Sequence, residues 1–115
     1  MNLLKIIFHL KNLLISLKTN MGFKVIVSEL AQKDIENSLE YYLEVSTDAP
    51  AKFIQELEKA YSTLELSPYF RVLYKNYRVL PLKRFPFILV YQIHNNEILI
   101  KACFHTSKST KKYPK

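Results

Sequence analysis

The chain is poor in the residues that build several common functional sites. Its one glycine, Gly22, excludes a glycine-rich loop that cradles phosphates. Its one cysteine, Cys103, excludes an internal disulfide, and no Cys/His spacing resembles a zinc site. We therefore expect no metal or cofactor. A single cysteine also suits a reducing compartment, so we expect a cytoplasmic protein.

Residues 1–20 lack an uninterrupted apolar run long enough to cross a bilayer, so no stable membrane insertion is expected. They also show no obvious signal-peptide core or cleavage site. Their leucines and isoleucines recur at helical spacing between lysines, which predicts an amphipathic helix that could lie on a membrane surface. Met21 begins a segment that looks complete by itself. Residues 1–20 are thus either an N-terminal extension or upstream of the true start, and residues 21–115 form one domain.

The positive charge is unevenly placed along the chain. Residues 21–68 contain four Lys against nine acidic residues, whereas residues 69–115 contain ten Lys and Arg against Glu97 alone. A basic segment joined to an acidic one is typical of proteins that bind a polyanion or an acidic partner. A solvated basic surface is the alternative.

The first part of the domain predicts one strand followed by two helices. The segment "FKVIVS" is β-branched and strand-like, and Ser28 is a suitable N-cap for the helix that follows. A second helix begins near Thr47 or Asp48, with Pro50 in its first turn, and ends at Ser67-Pro68. Because only a few residues join the helices, they should form an antiparallel hairpin.

The period of the apolar residues changes from helical to strand-like after Pro68. Three strands are predicted in "YRVLPL", "FPFILVYQIH" and "EILIKACFHT", with a tight turn at Asn95-Asn96 between the last two. The expected fold is therefore α+β: a strand, a helix hairpin and a three-stranded antiparallel meander, with the helices on one sheet face.

Strict alternation assigns side chains of the last strand to two faces. It places Ile98, Ile100, Ala102 and Phe104 under the helices, and it places Leu99, Lys101, Cys103 and His105 on the opposite face. The preceding strand is apolar on both sides, which predicts that the second face is an open apolar surface for a partner.

The chain ends in "CFHTSKSTKKYPK", which follows the last strand with a histidine, hydroxyl residues, lysines and a tyrosine. Histidine can transfer protons near neutral pH, Lys and Arg can stabilise a phosphate, and Tyr113 can stack on a base. This combination resembles an RNA-cleaving site. The alternatives are a structural histidine at a strand end and a frayed, solubilising tail.

The segments "SELAQKDIENSLEYY", "YRVLPLKRFPFILVYQI" and "FHTSKSTKKYP" resemble the RelE/ParE superfamily of bacterial type II toxins. The resemblance covers residues 23–114. It implies a small cytoplasmic toxin that a cognate antitoxin neutralises by laying a helix or extended segment on it. It also implies one of two activities: metal-independent cleavage of mRNA in the ribosomal A site, as in RelE-like members, or non-enzymatic inhibition of DNA gyrase, as in ParE-like members.

Carried over to this chain, the resemblance implies Arg78, His105 and Tyr113 as catalytic candidates for RNA cleavage. The basic residues expected to bind the target are Lys83, Arg84, Lys101, Lys108, Lys111 and Lys112. RelE-like nucleases often carry an arginine early in the third strand, where this chain has Ile88, and that departure argues against cleavage. An inactive toxin homologue and a plain RNA- or protein-binding domain are further alternatives.

Overall fold

A computed structural model describes residues 22–106, which form two helices and a five-stranded sheet. The elements in chain order are β1 (Lys24–Val27), α1 (Glu29–Val45), α2 (Ala49–Leu66), β2 (Val72–Tyr74), β3 (Tyr77–Pro81), β4 (Phe87–His94) and β5 (Glu97–His105). The predicted helix and possible extension in residues 1–20 lie outside the described residues.

Four strands follow the helices, so the predicted three-stranded meander is wrong by one strand. The missed strand, β2, has three residues and pairs only with β3 across a turn in which Lys75 has a φ of 52°. A strand this short has too few residues for a detectable alternation, and its turn contains no glycine. Its pairing is decided by the neighbouring strand rather than by its own sequence.

The strand order in the sheet is β1-β5-β4-β3-β2. The strands from β2 to β5 are antiparallel to their chain neighbours, whereas β1 pairs in parallel with β5. A parallel pair cannot be joined by a tight turn, and here both helices and strands β2 to β4 lie between β1 and β5 in the chain. The last strand therefore lies inside the sheet, flanked by β1 and β4.

Hydroxyl side chains cap both helices. The Ser28 Oγ accepts a hydrogen bond from the Ala31 amide at 3.1 Å, as the sequence predicts for α1. At α2 the N-cap residue is Asp48, but its side chain makes no capping bond. Ser46 supplies the oxygen instead, accepting from the amides of Asp48 and Ala49.

The main core lies between the helices and one face of the sheet. The helices contribute Ile35, Leu39, Phe53 and Leu57, all at most 1% exposed, and the strands contribute Leu89, Tyr91, Ile98 and Ile100. The Tyr91 hydroxyl donates a 2.6 Å hydrogen bond to the Pro68 carbonyl, which ties the end of α2 to the middle of the sheet.

The other face of the sheet carries a smaller cluster of Val79, Ile88, Val90 and Ala102. The predicted open apolar surface is not observed, because these four side chains are at most 8% exposed. Leu73, Tyr77 and Phe104 pack against them. These four side chains are therefore buried and do not form an exposed patch.

A bulge in β5 changes which side chains face the helices. Tyr91 pairs with Ile100, but Val90 pairs with Ala102, so Lys101 is an extra residue. The strict alternation predicted for this strand is therefore wrong beyond Ile100. Cys103 joins the helix-side core, and Ala102 and Phe104 pack on the opposite face.

Two side chains near the start of α1 bind the backbone at the bulge. The Cys103 amide donates to Asp34 Oδ2 at 3.0 Å, and Ser28 Oγ donates to the Lys101 carbonyl at 3.3 Å. These bonds satisfy backbone groups that the disrupted ladder leaves without strand partners. The helix thus stabilises the bulge that redirects the end of β5.

Candidate functional site

The described residues carry no net charge of their own. Residues 22–106 contain ten of the seventeen Lys and Arg residues and all ten acidic residues. The excess of seven positive charges therefore belongs to residues 1–21 and 107–115. Four of the candidate residues, Tyr113, Lys108, Lys111 and Lys112, lie outside the described residues.

His105 lies on the helix side of the sheet, contrary to the predicted alternation. It pairs with Phe87, and the two rings meet edge to face with centroids 5.0 Å apart. The imidazole also borders a cavity of about 260 Å³ with Asn37, Ser38 and two tyrosines of α1, Tyr41 and Tyr42. A packed ring beside a small cavity is compatible with a structural role and with contact to a ligand.

An aromatic cluster packs at the end of the sheet where His105 lies. Tyr42 lies 5.3 Å from Phe85 and 5.5 Å from Phe53, and Phe53 lies 5.3 Å from both Phe85 and Phe87. Burial, followed by the neighbouring Tyr41 and Cys103, raises the pKa of the Tyr42 phenol. The phenol is thus held neutral, and the cluster fixes the loop between β3 and β4 against the helices.

The end of β5 is anchored to that loop. The Thr106 amide and hydroxyl both donate to the Pro86 carbonyl, at 2.8 Å and 3.3 Å. The next residues in the chain are Ser107 and Lys108. The last described residue, Thr106, therefore lies beside residues 82–86, which contain the predicted target-binding residues Lys83 and Arg84.

Lys83 and Arg84 face α2 rather than the sheet surface. Arg84 Nε lies 3.8 Å from Glu56 Oε1, and Lys83 lines a cavity together with Glu56 and Lys59. Sequence reasoning missed Glu56, although it lies one residue before Leu57 within the apolar stripe of α2. An acidic residue on a buried helix face was the available signal.

Arg78 also lies on the helix side of the sheet, where it contacts Tyr69 and Phe70. Its guanidinium donates to the Phe70 carbonyl at 2.7 Å and lies 5.6 Å from the Tyr69 ring. Arg78 pairs with Tyr91, whereas His105 pairs with Phe87, which lies four residues earlier in β4. At about 3.3 Å per residue, this offset alone is about 13 Å. The two residues therefore pair with positions that lie far apart along β4.

Lys101 is the extra residue of the bulge, and its side chain is half-buried. Within residues 22–106, no group of three or more His, Cys, Asp or Glu side chains could hold a metal ion. In the same part of the chain, neither helix has the length and apolar character needed to cross a membrane.

Comparisons with known proteins agree with this architecture. One of six matching chains of known structure comes from the "Chromosomal ParDE TA system from P. aeruginosa", with a TM-score of 0.60. The alignment covers 76% of this chain and 98% of that chain at 18% identity, a likeness that shows the fold alone. A search of curated proteins gives no significant match.

A family profile described as "ParE toxin of type II toxin-antitoxin system, parDE" matches residues 25–109. The matched region begins in β1, includes every helix and strand through β5, and extends into the basic tail. It spans most of the chain. The chain therefore belongs to the ParE toxin family of type II toxin–antitoxin systems.

Proposed function

We propose that the protein is the growth-inhibiting toxin of a type II toxin–antitoxin pair, that it acts in the cytoplasm on DNA gyrase, and that a cognate antitoxin neutralises it. The observation that carries the choice of target is the separation of Arg78 from His105. ParE-like members of the superfamily inhibit gyrase without hydrolysing RNA, so they need no assembled acid–base pair.

Metal-independent RNA cleavage makes a stricter demand on geometry. A proton acceptor, a proton donor and cations must all reach one phosphodiester, within hydrogen-bond distance of the reacting atoms. Arg78 is bound to the Phe70 carbonyl, and the His105 ring packs on Phe87. This arrangement favours gyrase inhibition over RNA cleavage.

The basic tail is the part of the chain that we propose contacts the target. The seven excess positive charges lie in the two terminal segments, and the tail continues directly from Thr106, which is bonded to the loop that contains Lys83 and Arg84. Lys108, Lys111 and Lys112 thus follow within six residues of an anchored point. Such a basic segment attracts acidic protein surfaces and nucleic acid.

Induced expression tests the proposal through two readouts in the same cells, plasmid supercoiling and mRNA integrity. Gyrase inhibition predicts reduced negative supercoiling while the mRNA stays intact, and RNA cleavage predicts the reverse. A chain truncated after Thr106 should lose most of its toxicity. Lys75→Ala, which removes an exposed cation from the β2–β3 turn, is the matched control and should remain toxic.

Two further variants separate packing from chemistry at the folded candidates. His105→Phe retains a ring against Phe87 but removes the imidazole, whereas His105→Ala removes both. Toxicity that survives His105→Phe assigns His105 a structural role, and toxicity lost in both assigns it a chemical one. Undiminished killing by His105→Ala, Arg78→Ala and the truncated chain, at normal expression levels, would show that none of these groups contacts the target.

A further inference from the structure

A cavity of about 270 Å³ lies between α2 and the segment that leads from β3 into the following loop. The apolar residues in its lining are Ala60, Phe70, Leu80, Pro81 and Leu82. Its polar and charged residues, on the helix and the loop, are Glu56, Lys59, Thr63 and Lys83. A cavity of about 150 Å³ can hold benzene. This one, which we call the Glu56 cavity, therefore has room for a bulky apolar side chain.

Glu56 is the one charged side chain among the buried residues of the described structure, at 5% exposure. Its Oε1 atom lies 3.6 Å from Lys59 Nζ and 3.8 Å from Arg84 Nε. Both distances exceed the roughly 2.7–2.9 Å of a charge-assisted hydrogen bond. The two cations are themselves mostly exposed, at 66% and 72%. Glu56 thus holds two solvent-facing cations close to the cavity without saturating their donors.

The backbone conformation of Arg84 also indicates that the Glu56 cavity is a binding site. Its φ of 70° lies in the left-handed region, which is unfavourable for a residue with a side chain. Such conformations persist where the surrounding structure imposes them, and they are concentrated at functional sites. Here the conformation places a cation beside the buried carboxylate.

The charges at the Glu56 cavity specify the kind of partner. Lys59, Lys83 and Arg84 outnumber Glu56 by two positive charges, which favours an acidic ligand. The apolar wall formed by Phe70 and Leu80 favours an aliphatic or aromatic side chain. A nucleic-acid backbone has no such apolar group to place against this wall, which favours a protein segment over a nucleic acid.

We propose that the Glu56 cavity binds an acidic protein segment that inserts one bulky apolar side chain and pairs its carboxylates with Lys59, Lys83 and Arg84. This inference deepens the proposed function, because it rests on the protein having a neutralising protein partner. The cavity then provides the anchor point, and the surrounding cations select an acidic segment over a basic one.

Amide NMR spectra of the full-length, ¹⁵N-labelled chain test the proposal with synthetic probes. The first probe is a short peptide of Glu and Asp with one central phenylalanine. Its matched controls replace the phenylalanine by alanine, or all acidic residues by lysine, and a further probe is oligodeoxythymidylate. The acidic phenylalanine peptide should shift the amides of Lys59, Thr63 and Lys83, and removing the anchor should weaken binding by about tenfold or more.

Two variants locate the site. Thr63→Trp places a large side chain at the cavity and should abolish the shifts, whereas Ser62→Trp, one residue away on an exposed position outside the cavity, should retain them. Lys83→Glu reverses a charge on an exposed loop residue and should also abolish binding, while Lys75→Glu makes the same change at a distant turn and should have little effect. The spectra themselves report whether each variant is folded.

Several results would overturn the inference: equal binding of the alanine or lysine peptide, unchanged binding to Lys83→Glu, or stronger binding of the oligonucleotide at the same residues. The growth assay keeps this test separate from the proposed function. If the chain is toxic but its cavity does not bind the acidic peptide, the proposed function stands and the proposed site is wrong. If the chain is harmless but binds the peptide at the cavity, the proposed site stands and the proposed function is wrong.

Discussion

The hydrogen bond between Asp34 and the bulge in β5 predicts a measurable loss of stability when the carboxylate is removed. Asp34→Ala leaves the Cys103 amide without its acceptor, and Cys103 is only 4% exposed. An unsatisfied buried donor costs about 1–3 kcal/mol, so we expect a loss of about 2 kcal/mol. Asp34→Asn keeps an oxygen acceptor but not its charge, and we expect a loss of about 1 kcal/mol.

Urea denaturation followed by far-UV circular dichroism measures these losses, and hydrogen exchange of the Cys103 amide reports on the bond itself. The control is Asp48→Ala, because the Asp48 side chain makes no capping bond, and its effect should stay within about 0.5 kcal/mol. If Asp34→Ala is as stable as this control, or if the Cys103 amide keeps its protection, then Asp34 does not stabilise the bulge.

Three further predictions concern the core, alkaline pH and the N-terminal segment. Tyr91→Phe removes the hydrogen bond to the Pro68 carbonyl and should lower the free energy of unfolding, measured in urea, by about 1–2 kcal/mol. Tyr61→Phe should be nearly neutral, because the buried Tyr61 hydroxyl has no hydrogen-bond partner. Equal losses in the two variants would contradict this. Burial raises the pKa of Cys103 and of Tyr61 above their ordinary values of 9.0 and 10.0, so the unfolded chain loses these protons first. The free energy of unfolding should be constant up to about pH 8.5 and should decrease above about pH 9. In the Cys103→Ala variant this decrease should begin only at about pH 10. An increase over this pH range would refute the reasoning. A chain that starts at Met21 should keep the fold and the toxicity, as measured by circular dichroism and growth, and an insoluble or inactive product would show that residues 1–20 pack on the domain.

Local patterns in the sequence were sufficient for the elements that depend on near neighbours. The stripe of apolar residues in α2, the cap at Ser28 and the tight turn at Asn95, whose φ is 57°, all follow from interactions within a few residues. The same holds for the long apolar strand β4. The family resemblance, which rests on these segments and on the tail, is confirmed by the family profile over residues 25–109.

Long-range interactions decided the rest. The strand β2 forms by pairing with β3. The bulge at Lys101 is stabilised by hydrogen bonds to Ser28 and Asp34, more than sixty residues away in the chain. The alternation within β5 does not reveal the inserted residue, because Ala102, Cys103 and Phe104 are all apolar and fit either face. The sequence alone therefore could not predict which face of the sheet carries His105.

Residue counts were enough to show that residues 69–115 are basic and that no internal disulfide can form. Local periodicity was enough to predict the helix hairpin and the long strands that follow it. Three contacts became visible only in the folded chain: Glu56 lies beside Arg84, Arg78 donates to the Phe70 carbonyl, and His105 packs against Phe87 on the helix side. The physical reason is that side-chain environment depends on strand register and on contacts between distant segments. A one-residue bulge moves every following side chain to the other face, and no local propensity records that change.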